Sequence, residues 1–211
     1  MAIYTNIRKG FFAAYLIGCL CNICIAQTTV RDSVEATFMQ FNGITERTGH
    51  NDGPEIKRVL ATCGLPEGYP YCAATVNWTF KQVGIETGVK GPAAAANWFV
   101  DPYKIVYKKS WQKTGFEAKK AQVFGLWFPE LGRIAHTGFI VAQYPTYYLT
   151  FEGNTSSKGA IETDRLTAQD REAGINGGFF LKKRSKSQIY IIADYLKEYD
   201  TGVKDWRKRK F

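Results

Sequence analysis

Cys72 lies where a cysteine can act as a nucleophile. It follows a turn that contains Pro70, and a segment of helical character, residues 72–80, begins with it. A helix begins with unpaired N–H groups and with the positive end of its dipole, and both stabilise a thiolate and lower the pKa of the thiol. A thiolate at this place predicts acyl transfer, in which the sulfur attacks a carbonyl carbon. The alternative interpretation is a small buried hydrophobic residue.

A histidine and two polar residues follow Cys72 in the order that a cysteine–histidine site uses. His136 lies in residues 133–141, which alternate with a period of two and therefore predict a strand. Glu152 ends the next segment of this kind, and Asn154 follows it closely. A carboxylate beside the imidazole would fix its tautomer and stabilise its cation, and Asn154 could orient the same ring or donate to an oxyanion. Each of them also has a structural interpretation, as a core histidine, a charge at a strand end or a turn residue.

Helical periodicity dominates the first half of the sequence and alternation the second half. Helices are predicted at about 28–40, 54–63, 72–84 and 93–98, and strands at 123–128, 134–143, 147–152, 178–182 and 188–193. Asp52 is expected to cap the second helix, with Glu55 completing a capping box. This order predicts an α+β domain with N-terminal helices packed on a C-terminal antiparallel sheet. The site would lie where the Cys72 helix begins, bordered by loops 91–103 and 153–176.

The N-terminus has the pattern of a secretory signal. Arg8 and Lys9 precede an apolar stretch, residues 11–26, that contains no charge and ends with small residues before a predicted cleavage after Ala26. The predicted destination is the periplasm or the extracellular space. An uncleaved anchor is one alternative, and lipid attachment at Cys19, in a segment that resembles a bacterial lipobox, is another.

The chain is basic and contains few metal ligands. Its formal charge is +9, and it becomes +7 when residues 1–26 are removed. This charge favours an anionic partner, and export disfavours nucleic acid in favour of a wall polymer or a membrane surface. Two histidines and five cysteines, three of which precede residue 26, disfavour a zinc site. No metal or cofactor is predicted.

The length of 211 residues suggests one catalytic domain with additions at both ends. The predicted division is a signal peptide at 1–26, a helical segment at 27–48, a catalytic domain at 49–200 and a basic tail at 201–211. The tail is either a solvated end or an electrostatic tether to an anionic surface. The mature chain is expected to lack a membrane span and to be a monomer.

Three short blocks resemble the signature blocks of CHAP domains, the cysteine, histidine-dependent amidohydrolases/peptidases. They are Tyr-Pro-Tyr-Cys-Ala-Ala at 69–74, His-Thr-Gly-Phe-Ile at 136–140 and Phe-Glu-Gly-Asn-Thr at 151–155, with similar flanking pieces at 51–55 and 183–185. The resemblance extends over roughly residues 49–192. CHAP domains belong to a papain-like superfamily of bacterial wall hydrolases that also holds the NlpC-type endopeptidases.

The resemblance implies a papain-like fold and hydrolysis of peptidoglycan. The family's nucleophile, base and supporting polar residues correspond to Cys72, His136, Glu152 and Asn154. The bond cleaved would lie between muramic acid and L-alanine, or within the stem or cross-bridge peptide. The backbone amide of Cys72 and the Tyr71 hydroxyl would stabilise the oxyanion. The implied mechanism needs no metal.

Several alternatives stay open at this point. Cys63 could form a disulfide with Cys72 in an oxidising compartment, or it could be a buried free thiol. His50 could replace His136 as the base, although no predicted strand fixes it. The protein could also be an inactive wall-binding module, a cysteine acyltransferase or a delivered wall-degrading toxin.

Overall fold

The computed structural model describes residues 28–111, 114–161, 163–173 and 177–204. The predicted signal peptide, residues 1–26, lies outside these ranges, and so does most of the predicted tail, residues 205–211. Within them the chain forms five α-helices and one six-stranded antiparallel sheet. The coarse prediction of an α+β architecture is therefore confirmed.

Three helices precede most of the sheet in the chain. They are α1 (Val30–Met39), α2 (Pro54–Ala61) and α3 (Cys72–Gln82). The side chain of Thr29 caps α1 by accepting the Asp32 N–H at 3.1 Å, and the Asp32 carboxylate accepts the Thr29 N–H at 3.0 Å. This reciprocal pair is a capping box, which satisfies two N–H groups that the helix itself leaves unpaired.

The predicted cap of α2 is wrong. Gly53 is the N-cap residue and has φ 132°, a conformation that side chains disfavour. Asp52 instead turns back into the preceding loop, where it accepts the Thr48 N–H at 2.9 Å and the Arg47 Nε–H at 3.1 Å. The helix then starts at Pro54, whose ring lacks an N–H and therefore needs no acceptor there.

Six strands form the sheet in the order β1-β6-β2-β3-β4-β5, and every neighbouring pair is antiparallel. They are β1 (Ile105–Lys108), β2 (Val123–Phe128), β3 (Arg133–Gln143), β4 (Tyr147–Ser156), β5 (Gly177–Ser185) and β6 (Ile191–Ala193). The strand β2 has the predicted bounds, whereas β4 and β5 run further and β6 is shorter. Strand β1 was not predicted, because all four of its residues are partly buried and show no alternation.

Short helical segments complete the described structure. The predicted helix at 93–98 is a 3-10 turn at Ala95–Phe99, and α4 (Ala168–Ala173) lies within the connection that was predicted as polar loop. The short helix α5 (Lys197–Asp200) follows the last strand. No helix in the described ranges has the length and apolar character needed to cross a membrane.

The first turn of α3 packs closely on the central strands. A Cβ atom at Gly153 of β4 would collide with the Thr75 side chain of α3, so only glycine permits this approach. From α1, the ring of Phe38 stacks on Phe139 of β3 at 4.8 Å and on Phe151 of β4 at 4.7 Å between centroids. The core under β3 and β4 therefore holds the start of α3 in a fixed position against the sheet.

A buried arginine connects α1 to the other end of the described chain. Arg31 is 8% exposed and donates to the Asp194 carboxylate at 2.8 Å, to Asp200 at 2.6 Å and to the Lys120 carbonyl at 2.7 Å. Gln122 donates a further hydrogen bond to Asp194 at 2.8 Å. We refer to Arg31, Asp194, Asp200 and Gln122 as the Arg31 cluster.

Candidate active site

Cys72 is the first residue of α3 and is 5% exposed. The Thr75 N–H bonds to the Tyr71 carbonyl at 2.8 Å and so makes the first backbone hydrogen bond of the helix, which leaves the earlier N–H groups outside the helical pattern. The N–H groups of Ala73 and Thr137 donate hydrogen bonds to the sulfur. The sulfur is therefore surrounded by donors that favour its anionic form.

His136 connects Cys72 to Glu152. Its Nε2 lies 2.8 Å from Oε2 of Glu152, and its ring also hydrogen-bonds to the Cys72 side chain. Since Glu152 occupies Nε2, Nδ1 is the ring nitrogen that faces the sulfur. Thiol, imidazole and carboxylate form one hydrogen-bonded sequence of groups, which we refer to as the Cys72–His136–Glu152 chain.

The electrostatics of this chain favour a thiolate beside an imidazolium. Burial opposes ionisation of Cys72, but the hydrogen bond from His136 and its positive charge hold the pKa of the thiol below its ordinary value. Burial alone would lower the pKa of His136, but hydrogen bonds to Cys72 and Glu152 raise it to about 10. At neutral pH the proton therefore lies on the ring, and the positive charge of the ring favours the anionic form of the sulfur.

Glu152 is fully buried and has every lone-pair direction occupied. It accepts hydrogen bonds from Thr150 Oγ1 at 2.7 Å, from Arg184 Nε at 2.8 Å and from Arg184 Nη2 at 2.6 Å, in addition to His136. Burial would raise the pKa of this carboxyl, but Arg184 and His136 together keep it far below its usual range. The carboxylate thus stays charged and can hold the imidazolium.

Arg184 is a residue of the site that the sequence analysis did not assign. It lies on β5 and forms a bidentate pair with Glu152, although β5 pairs Phe180 with Glu152 and Tyr148 with Arg184. The available signal was the alternation of β5, which places residues 180, 182 and 184 on one face. Only the pairing of β4 with β5 shows that this face also carries Glu152.

Asn154 lies beside the chain but does not orient the histidine. It is the extra residue of a β-bulge between Gly153 and Thr155, and its φ is 56°, in the left-handed region. Its side chain makes no hydrogen bond to any other described residue, while Glu152 occupies the ring nitrogen that an orienting group would use. Of the two roles predicted for Asn154, only a donor to the reacting group fits this placement.

Tyr71 does not fit its predicted role as an oxyanion donor. Its side chain is 0% exposed, and its hydroxyl donates its one proton to Glu46 Oε1 at 3.0 Å. Burial and the neighbouring Glu46 carboxylate raise the pKa of this hydroxyl well above its usual range. Glu46 in turn accepts the Asn51 N–H at 3.0 Å. Tyr71 therefore braces the turn before Cys72, and Glu46 is a second residue that the sequence analysis missed.

An open cavity of about 440 Å³ borders His136. Its lining residues come from β2, β3, β4, β5 and the segment after β4, and they are Leu126, Phe128, His136, Asn154, Thr155, Ser156, Lys158, Lys182 and Arg184. Since one water takes about 30 Å³ of liquid, the cavity admits a group the size of an amino acid. Residues 154, 155, 156 and 158 of the predicted segment 153–176 border it, whereas the loop at 91–103 contributes residues 97, 100 and 101 to a different cavity.

Cys63 and His50, which the sequence left as alternatives, lie outside the Cys72–His136–Glu152 chain. Cys63 and Cys72 are both free thiols, so the disulfide considered from the sequence is not formed. Cys63 accepts a hydrogen bond from Asn77 at 3.5 Å. His50 is exposed and contacts the Thr48 side chain and carbonyl in its own loop. Within the described ranges, no group of three or more His, Cys, Asp or Glu residues is arranged to hold a metal ion.

The chain matches no known family model, no curated protein and no solved structure.

Proposed function

We propose that this protein is a cysteine amidohydrolase of papain-like, CHAP type that cleaves an amide bond in the peptide of bacterial peptidoglycan. The Cys72–His136–Glu152 chain beside an open cavity is the observation that carries the proposal. A thiolate at a helix start, held by an imidazolium with its own buried carboxylate, is the arrangement that nucleophilic acyl transfer needs. The protein itself supplies every group that the reaction requires.

The proposed reaction begins with attack of the Cys72 thiolate on the peptide carbonyl carbon. The carbonyl π electrons move to oxygen, and N–H groups at the start of α3, with the Asn154 amide, stabilise the oxyanion. The C–N bond then breaks, and the His136 imidazolium gives its proton to the departing amine. Neutral His136 next takes a proton from water, the water oxygen displaces sulfur from the thioester, and Cys72 returns to its thiolate form.

Glu152 and Arg184 act as positioning residues in this reaction. Glu152 holds the ring so that Nδ1 faces the sulfur, and its charge stabilises the imidazolium between the two proton transfers. Arg184 keeps Glu152 ionised through two hydrogen bonds. The carboxylate consequently need not take a proton at any step.

Peptidoglycan is the proposed substrate for four reasons. The three blocks at 69–74, 136–140 and 151–155 resemble those of wall hydrolases, and the basic charge of the chain suits an anionic polymer. The signal pattern at 1–26 would deliver the enzyme to the periplasm or beyond, where this polymer is found. The cavity beside His136 admits a group of amino-acid size.

The test is digestion of purified peptidoglycan by residues 27–211 under reducing conditions, with soluble products identified by mass spectrometry. Stem peptides that begin with L-alanine would identify an amidase, and shortened stems or opened cross-links an endopeptidase. Cys72→Ala should reduce product formation by at least about 10⁴-fold because it removes the nucleophile. The matched control is Cys63→Ala, which removes a free thiol outside the chain and should leave the rate unchanged.

Two results would overturn the proposal. One is the absence of products from folded protein on walls of several stem and bridge chemistries. The other is equal product formation by Cys72→Ala. Retained binding of intact wall without any hydrolysis would instead support the wall-binding module.

A further inference from the structure

Lys182 is a buried cation that the proposed reaction does not use. It is 7% exposed, and its Nζ donates to the Ser156 carbonyl at 2.9 Å and to the Lys158 carbonyl. An ammonium group has three N–H donors, so these two bonds leave one for another partner. Lys182 also lines the cavity beside His136. The two carbonyls thus fix a cation at the wall of the site with one donor uncommitted.

The wall of this cavity carries positive charge only. Its charged lining residues are Lys158, Lys182 and Arg184, beside His136, and it has no acidic lining residue. The one carboxylate behind the wall, Glu152, is 0% exposed and already accepts four hydrogen bonds. Within the described part of the chain, no carboxylate forms an ion pair with Lys182. We refer to this space as the cationic cavity.

A buried ammonium without a carboxylate partner costs folding free energy unless a ligand or a network uses it. Burial lowers the pKa of Lys182, which is the expected sign of that cost. The neighbouring lysine on the same strand, Lys183, does not line the cavity. Its Nζ lies over the ring of Tyr147, 5.5 Å from the ring centroid. The placement of Lys182 therefore suits recognition of an anion that arrives with the substrate.

We propose that the cationic cavity binds a carboxylate group of the substrate, which accepts the remaining N–H of Lys182 and is attracted by Lys158 at the rim. This inference rests on the proposed function. The cationic cavity selects among stem peptides by their charge next to the scissile amide. A charge-assisted hydrogen bond between an ammonium and a carboxylate has the strength needed for such selection. A peptide whose carboxylate is replaced by a neutral amide leaves Lys182 unpaired in the complex.

Stem peptides offer this carboxylate from three positions, and the experiment separates them. The substrates are a muramyl tetrapeptide containing D-glutamate, diaminopimelate and terminal D-alanine, and three versions in which one of the three carboxyls is amidated. Amidation of the recognised carboxyl should lower kcat/KM of the unaltered enzyme by about tenfold to a hundredfold. Amidation of either other carboxyl should leave kcat/KM nearly unchanged.

The variants assign the selection to Lys182. Lys182→Met should cleave the parent and the discriminating amide at similar rates, because it has lost the donor that distinguishes them. Lys183→Met is the matched control, since it removes the same charge from the opposite face of β5 and should keep the selection. Lys158→Gln, at an exposed position, should weaken the selection by a smaller factor of about threefold. Thermal melting of each variant reports whether it is folded.

Equal cleavage of all four peptides by the unaltered enzyme would contradict carboxylate binding in the cationic cavity. It would not contradict the proposed hydrolase activity. Selection that survives in folded Lys182→Met would do the same. If the unaltered enzyme cleaves none of the peptides, the proposed function is in doubt, and calorimetric binding of the same four peptides to Cys72→Ala tests the cavity independently. Loss of binding on amidation of one carboxyl would support it, and equal or absent binding would contradict it.

Discussion

Two groups of charges in the described part of the chain, the Arg31 cluster and the Cys72–His136–Glu152 chain, differ in whether every member has a protein partner. In the Arg31 cluster, the guanidinium donates to two carboxylates and a carbonyl, and Asp194 accepts further hydrogen bonds from Gln122 and from the Leu196 N–H. Each charge is matched inside the protein. The cluster connects α1 to β6 and α5, so its role is to hold distant parts of the chain together.

The Cys72–His136–Glu152 chain also contains a carboxylate that is paired with an arginine, but its other end is a thiol. Glu152 is matched by Arg184, Thr150 and His136, but the sequence of groups ends at the Cys72 sulfur, and His136 borders an open cavity. The comparison shows how one kind of interaction serves two purposes. A closed set of charges stabilises the fold, whereas a set that ends at a thiol is the part that supplies the nucleophile in the proposed function.

Among variants that keep Cys72, replacement of the Glu152 carboxylate should have the largest effect. Glu152→Gln keeps the size of the side chain but removes the charge that fixes the imidazolium, so kcat/KM should fall by about 10³-fold. Steady-state hydrolysis of a muramyl peptide measures this fall. The control is Glu46→Gln, a buried carboxyl that braces Tyr71 outside the chain and should leave kcat almost unchanged. A fall of similar size in both variants would contradict a specific role for Glu152.

Opening the closed cluster should affect stability and leave the chemistry intact. Arg31→Met leaves the buried Asp194 carboxylate and the more exposed Asp200 carboxylate without their cation and should lower the free energy of unfolding by about 3–5 kcal/mol. Denaturant unfolding gives the value, and kcat measured where the variant is folded should equal that of the unaltered protein. Lys104→Met removes the more exposed ion pair with Glu198 and should cost less than about 1 kcal/mol. Equal losses in the two variants would refute the distinction between them.

The two described thiols should differ in their reaction with iodoacetamide at about pH 6.5, where an ordinary thiol is almost entirely protonated. The pKa of Cys72 is lowered, so a larger fraction of this thiol is ionised than of an ordinary thiol, whereas burial raises the pKa of Cys63 and reduces its ionised fraction. Alkylation of Cys72 should be about 10²-fold faster, as peptide mass spectrometry will show. His136 holds its proton up to a pKa of about 10. Raising the pH toward that value should therefore increase the alkylation rate of Cys63 far more than that of Cys72. Equal rates at low pH would contradict the ion pair.

Tyr71→Phe should have the smallest effect and separates bracing from catalysis. The variant leaves Glu46 without one hydrogen bond and should lower the free energy of unfolding by about 1–3 kcal/mol. Because the hydroxyl proton is directed at Glu46, kcat should change by less than about threefold. A loss of 10²-fold or more in kcat, with unfolding unchanged, would restore the oxyanion role that the sequence predicted.

Local patterns were sufficient for much of the fold and for the reactive residues. Alternation gave β2 its bounds, and helical spacing located α1 and α3, because these patterns reflect the two geometries in which side chains meet a core. The predicted cap of α2 was wrong because the Asp52 carboxylate accepts hydrogen bonds from two donors in the preceding loop instead of from the helix. Sequence spacing alone identifies neither donor. The edge strand β1 was missed because pairing with β6 defines it, in the absence of an alternating pattern of its own.

What the sequence by itself determined is the set of reactive types and their order, with Cys72 at a helix start and His136 and Glu152 on successive strands. What only the tertiary structure decided is which charges complete the site and which close the fold. The β4–β5 pairing brings Arg184 to Glu152 and Lys182 to the cavity beside His136. Arg31 binds two carboxylates that lie near the other end of the described sequence. The physical reason is that a hydrogen bond depends on distance and direction in space, and residues far apart in sequence acquire both only when the sheet and helices pack.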